Sequence, residues 1–420
     1  MQAAAKLKGW MQVVATVALV TLLAACGGGG GSGSSGSNDS GLPPSPGAQP
    51  VAANAGNTAP IMVGPGVANV INIPTVSVKV CVPGTTTCQI INNIQVDTGS
   101  FGLRIVSTAL LAPLPLAPAP VATGRTLAEC TTFADGSSWG TVRTATVQIA
   151  NETATNIPVQ VLGDLPDSSI PSGCVNGAAE NTASQIGANG ILGIGVAPVD
   201  CGINCSNATL APQFSNYYAC IGTACLNTPT QVPTLNQVAN PVANFATDNN
   251  GVIVQMQPIS SSGATSASGT LVFGINTATN NQLTGATVFT TNGSGDLPVS
   301  TFNGAKTLAF MDSGSNAYFF SDSSLALCGS NFPGFYCPSS GQTRTVGLVG
   351  QNGALANVNV GIQDAAVLFA NGNNFAFNDL GGQIGIPGSF DLGLPFFFGR
   401  YVYYGIDRTG NGGQAPFVAF

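Results

Sequence analysis

Residues 94–105 read IQVDTGSFGLRI and set one carboxylate, Asp97, inside an apolar run. Ile94 and Val96 lead into it with the alternation of a strand, and a hydroxyl, a glycine and a second hydroxyl follow it. The chain then repeats the arrangement. Residues 307–320, TLAFMDSGSNAYFF, bring Asp312 out of an apolar run into Ser313, Gly314 and Ser315. In a chain this rich in Gly, Ser and Thr, one Asp-[Ser/Thr]-Gly-[Ser/Thr] string arises by chance roughly 0.07 times. One copy could therefore be an ordinary β-turn; two copies in the same strand-then-turn setting point to a duplicated element.

Each copy has a matching sequel. Asn189–Gly195 reads NGILGIG and Asp391–Phe398 reads DLGLPFFF, and in both an apolar strand is broken by a glycine, as where a second backbone comes close. Val and Ile recur in short runs between turn residues, and only 6% of residues are charged, the profile of an all-β chain. At 420 residues with 44% hydrophobic side chains, the chain is long enough for two packed lobes.

The composition also excludes. There is no histidine, which removes the usual general base of Ser and Cys hydrolases and the commonest metal ligand. With 17 acidic residues against 10 scattered basic ones, no cationic face for nucleic acid is expected. Residues 1–25 combine Lys6 and Lys8, an apolar stretch and small residues, and read as a signal peptide. The string Leu23-Ala24-Ala25-Cys26 resembles a bacterial lipobox, which implies lipidation of Cys26, a membrane contact through that lipid alone, and a place in the cell envelope. Gly27 after the cysteine, where Asp would retain it, implies the outer membrane. Residues 26–60, Gly/Ser-rich and then Pro/Ala-rich, read as a flexible tether. The other ten cysteines, an even number in an exported chain, suggest five disulfides. Sequence neighbours suggest Cys81 with Cys88, Cys201 with Cys205, Cys220 with Cys225 and Cys328 with Cys337, leaving Cys130 with Cys174, although sequence does not fix connectivity. These spacings do not suit zinc, and no metal or cofactor is expected.

On these residues, over about 65–420, the chain resembles the pepsin-like aspartic peptidases, whose lobes each supply one Asp from a D-T/S-G-S/T turn lying under an apolar Gly strand. NGILGIG resembles the first-lobe Gly strand, GTLVFGI at 269–275 the strand opening the second lobe, and FDLGLPFFFGRYVYYGIDRTGNGG at 390–413 the C-terminal run. The resemblance implies an all-β, bilobal acid-protease fold with pseudo-symmetric, barrel-like lobes at 61–245 and 246–420 and a cleft between them. It implies a monomeric endopeptidase acting on peptide or protein, with Asp97 and Asp312 as the catalytic pair. Gly99 and Gly314 would let the two backbones approach, Ser100 and Ser315 would bond the outer carboxylate oxygens, and Thr98 and Ser313 would cross-link the turns.

Two positions depart from that family. Its hairpin flap carries a tyrosine where the segment Thr132–Gly140 has Phe133, followed by Asp135 and Gly136, so Phe133 is expected to wall a substrate pocket without offering a hydroxyl. Its tryptophan after the first turn is replaced by Arg104, which could place a cation near the cleft and lower the pKa of the pair or, as most arginines do, project to solvent, the reading favoured here. These departures motivate a second expectation, an envelope lipoprotein of the same fold that binds a peptide or protein partner without cutting it. Asp407-Arg408 and residues 248–251 read as turns, and the aromatic run from Phe396 to Tyr404 as packing.

Overall fold

A computed structural model of the chain describes residues 42–43, 55–111, 114–119, 121, 124–133, 136–174, 177–383 and 388–420. The signal peptide, Cys26, most of the tether and Asp135 lie outside these residues, while residues 58–60, expected in the tether, belong to the strand Thr58–Val63. The described residues form 24 strands and only short helices, as Val/Ile runs between turn residues require. This is the all-β architecture expected, and it is built around two copies of one motif.

The strands that end on the two Asp residues are half-exposed where they begin and wholly buried where they finish. In Cys88–Asp97 burial is continuous from Ile94 onward, and in Ala305–Asp312 from Ala309 onward. Continuous burial on both faces is what near-continuous apolar runs produce when a strand is covered on each side. After each Asp turn the chain returns as a second strand, Phe101–Val106 in one half and Tyr318–Phe320 in the other. A later strand then inserts between the two. Gly190–Ile194 runs parallel to the first Asp strand, with Gly193 opposite Asp97, and antiparallel to its return. Ser389–Gly393 does the same in the second half, with Gly393 opposite Asp312. The glycines sit where any Cβ would strike backbone: one at Gly193 would stand 2.6 Å from Phe101 N, and one at Gly393 would stand 2.1 Å from the Ala317 carbonyl oxygen.

A six-stranded antiparallel ladder joins the halves, in the order Thr58–Val63, Ala267–Phe273, Gly251–Met256, Tyr401–Gly405, Phe417–Ala419 and Val288–Thr290. Its first strand then hands over to Pro74–Cys81 through the Met62–Thr75 pair. The main hydrophobic core is correspondingly continuous, running from Ile94 and Val96 through Leu192 to Met311, Leu392 and Phe396. Asn72, at a left-handed φ of 53°, adds a polar clasp across the halves. Its amide donates to the carbonyls of Asn316 (2.8 Å) and Phe377 (2.9 Å) and accepts from Phe377 N–H (2.8 Å).

All five anticipated disulfides are present, and each follows from local geometry. Cys81 and Cys88 are directly opposed in a hairpin, as are Cys220 and Cys225. Cys130 and Cys174 tie the hairpin strand Thr126–Thr132 to the turn Ser172–Cys174, and Cys201–Cys205 and Cys328–Cys337 close short loops.

Candidate active site

The two Asp turns meet face to face at the middle of the core, and main-chain geometry interlocks them. Thr98 N–H donates to Ser313 Oγ (3.1 Å), and Ser313 N–H donates to Thr98 Oγ1 (2.9 Å). Each hydroxyl in turn donates to the strand opposite, Thr98 Oγ1 to the Met311 carbonyl (3.3 Å) and Ser313 Oγ to the Val96 carbonyl (2.8 Å). The four bonds form a symmetric lattice in which a residue of one half is fixed by its counterpart in the other. Gln95 adds a fifth crossing, its amide donating to the Gly314 carbonyl (3.0 Å).

Each carboxylate is oriented by its own turn. Gly99 N–H donates to Asp97 Oδ1 (3.0 Å), and Gly314 N–H donates to Asp312 Oδ1 (2.8 Å). On the outer side the Ser100 hydroxyl donates to Asp97 Oδ2, and Ser315 Oγ donates to Asp312 Oδ2 (3.1 Å). The glycines are required by proximity. A Cβ at Gly99 would lie 2.4 Å from Asp312 Cγ, and one at Gly314 would lie 2.4 Å from Asp97 Oδ1 and 3.0 Å from Asp312 Oδ1. The inner oxygens of Asp97 and Asp312 are thus separated by no more than the sum of those last two distances. Both Asp residues are fully buried.

Behind the pair lies Tyr404, whose hydroxyl donates to the Met311 carbonyl (3.1 Å). Its phenol is held well above the usual tyrosine range, first by burial and then by the nearby carboxyls of Asp312, Asp391 and Asp97. Tyr404 is therefore a neutral hydroxyl at the floor of the pair. Neither it nor Gln95 was signalled by the motif, although both stand in strands that the motif positions.

The flap-like hairpin differs from expectation in its contacts. Phe133 closes its tip through a bond from Phe133 N–H to the Gly136 carbonyl (2.7 Å), but its ring is 2% exposed and belongs to an apolar cluster with Val106, Leu162, Ile186, Ala188 and Ile191. Gly136 pairs with Ala178 in a short parallel ladder, and a Cβ there would stand 2.6 Å from the Ala178 carbonyl oxygen. The tip is thus fastened to its own half. Trp139, further along the same strand, is wholly buried, packs edge-on against Tyr218 and donates to Ser169 Oγ (3.0 Å).

Arg104 corrects the sequence reading: it is 1% exposed and lies inside the first half. A guanidinium cannot be buried without acceptors, and here four arrive from three segments. Arg104 Nη2 reaches Glu129 Oε1 (2.7 Å) and Asp200 Oδ2 (3.5 Å), Nε donates to Thr131 Oγ1 (3.0 Å), and Nη1 donates to the Phe101 carbonyl (2.7 Å). The clue in the sequence is position: Arg104 lies between Leu103 and Ile105 on a strand with no exposed face, so its charge had to find a partner inside.

Among solved structures, the chain is similar to an aspartic proteinase from Irpex lacteus, with 17% identity, coverage of 86% of this chain and 96% of that one, and a TM-score of 0.48. No curated protein matches the sequence. A family model described as "Protein of unknown function (DUF3443)" matches residues 53–420. The chain thus belongs to the DUF3443 family.

Proposed function

We propose that the protein is an aspartic endopeptidase of the bacterial envelope, held at the membrane by a lipid on Cys26, with Asp97 and Asp312 as its catalytic pair. The observation that carries this reading is the interlocked pair of equivalent Asp turns, each with a Gly amide on the inner oxygen and a Ser hydroxyl on the outer one. Two carboxylates so close retain one proton between them across a wide acidic range. The ionised member takes a proton from a water held between them as that water attacks the peptide carbonyl. The protonated member donates to the developing oxyanion, and the proton is returned to the leaving amine when the C–N bond breaks. Thr98 and Ser313 support this by fixing the two turns coplanar, so that little reorganisation is needed during reaction.

The test is hydrolysis of a mixed peptide pool between about pH 3 and 7 by the chain lacking residues 1–26, beside Asp97→Asn and Asp312→Asn. Each substitution is expected to lower the rate by about 10³-fold or more while leaving the fold intact. No cleavage by the unmodified chain, or cleavage undiminished in both variants, rejects the reading. A second reading, peptide binding without hydrolysis, draws on the hairpin tip fastened at Gly136 to Ala178. It predicts saturable peptide binding with no product.

A further inference from the structure

The cluster around Arg104 contains one cation and two acids with almost no access to water. The side chains of Arg104, Glu129 and Asp200 are 1%, 0% and 4% exposed. Four elements converge on Asp200 and bring every charged or titratable group that faces it: Arg104 from Phe101–Val106, Glu129 from Thr126–Thr132, Tyr217 from Tyr217–Ile221, and its own loop after Gly190–Ile194. Tyr217 Oη donates to Asp200 Oδ1 (2.6 Å), and the amide of Asn216 bridges the acids, donating to Glu129 Oε1 (3.1 Å) and Asp200 Oδ2 (3.0 Å).

Two ionised carboxylates beside one guanidinium would leave a net buried negative charge, and a site this dry relieves it by keeping a proton. Glu129 has the shorter contact to Arg104 and a further bond from Thr131 Oγ1 (2.7 Å), so it is the member that stays ionised. Burial alone would raise its carboxyl, but the Arg104 charge and the bonds from Asp200, Thr131 and Arg104 outweigh it and hold the carboxyl below the usual range. Asp200 is pushed well above the usual range, by burial first and by the Glu129 charge next. Asp200 and Glu129 share a side-chain hydrogen bond, which a proton on Asp200 supplies.

The cluster reaches the Asp97 turn through Arg104, and the loop that carries Asp200 holds the adjacent carbonyl through its main chain. Arg104 Nη1 holds the carbonyl of Phe101 (2.7 Å), and Gly195 N–H, at the head of the loop leading to Asp200, holds that of Ser100 (3.0 Å). Ser100 is the residue whose hydroxyl bonds Asp97. We propose that Arg104, Glu129 and Asp200 form a proton-dependent clamp that positions the Asp97 turn, firm while Asp200 carries its proton and loosened when that proton is lost. None of the three touches the reacting atoms; they are positioning residues. The effect on catalysis rests on the peptidase reading, whereas the clamp itself does not.

The deciding experiment follows hydrogen exchange of residues 97–106 in the full chain from about pH 4 to 8, corrected for intrinsic rates, with the paired strands Gly251–Met256 and Ala267–Phe273 of the joining ladder as control. In the unmodified protein, protection of 97–106 should fall as pH rises while the control holds. Asp200→Asn keeps the shape and lacks the titration, so its 97–106 segment should exchange roughly tenfold more slowly than that of the unmodified protein near the top of the range. Glu129→Gln, which leaves Asp200 as the ionised partner of Arg104, should flatten the dependence as well and serves if the first variant does not fold. Protection of 97–106 that is independent of pH in the unmodified protein, or equally pH-dependent in a folded variant, overturns the clamp. If peptides are cleaved, Asp200→Asn should also extend the alkaline limb of the rate profile. Failure of the unmodified chain to cleave refutes the peptidase reading and leaves the exchange result standing.

Discussion

Seven residues after each Asp, at positions related by the internal duplication, the two halves place Arg104 and Phe319. Each lies across the ladder from the residue two before the inserted glycine, Arg104 opposite Ile191 and Phe319 opposite Asp391. The first half therefore carries its charge on the returning strand and recruits acids from elsewhere. The second carries an acid on the inserted strand and surrounds the return with aromatic packing, including the stacked pair Phe320–Phe390 and the edge contacts of Phe302 with both. Yet the turns that these dissimilar surroundings hold match bond for bond, as if related by a two-fold axis. The lesson is that the geometry of an Asp turn is set by its own glycine, hydroxyls and interlock, while the material behind it can be ionic or apolar.

That contrast can be broken by substitution. Arg104→Met strands Glu129 as a buried charge and should cost about 3–5 kcal/mol in denaturant unfolding at neutral pH. Phe319→Leu, at the related position, keeps apolar volume and should cost less than about 1.5 kcal/mol. Equal costs would show that the two supports are of the same kind.

The second comparison concerns pH. Asp379, in the second half, is raised to about 7 by burial. A carboxyl whose folded-state value lies above its unfolded value binds more protons when folded, so its contribution to stability declines as pH rises from about 4 to about 7 and then levels off. The swing is on the order of 4 kcal/mol. Asp379→Asn should flatten the dependence of the unfolding midpoint over that window, and an unchanged slope would assign the effect to Asp200 and the first half alone.

The smallest effect tests the symmetry itself. Gly99→Ala and Gly314→Ala each drive a methyl to 2.4 Å from the opposite carboxyl group and should destabilise by about 1–3 kcal/mol. The two costs should be nearly equal, and thermal unfolding of both variants measures this. A large difference would mean that one turn yields where the other does not.

Much of this was legible in the chain because a duplicated motif is local. Asp97, Asp312, their hydroxyls and the glycines of the inserted strands each stand in a short string whose residue types state their geometry, and the cysteine pairs were mostly sequence neighbours. What escaped was non-local. Arg104 meets Glu129 across 25 positions and Asp200 across 96, and Asp200 sits in a loop with no pattern to mark it. Nor could Phe133 be placed from its hairpin alone, because the surface that buries its ring comes from the segment around Ile186–Ile191. Surface propensity misplaced Arg104 since it weighs a residue type and ignores that every neighbour on the strand is apolar or glycine.

The joining ladder bears on the order in which this protein can become itself. Thr58–Val63 precedes its partner, Ala267–Phe273, by some two hundred residues of synthesis, and Phe417–Ala419 follows later still. Contacts of such long separation form late, after their loop entropy has been met. Vectorial synthesis therefore delivers the first half before the strands that complete its seam, and Asp97 waits for the strand that ends on Asp312 and for the one inserted beside it.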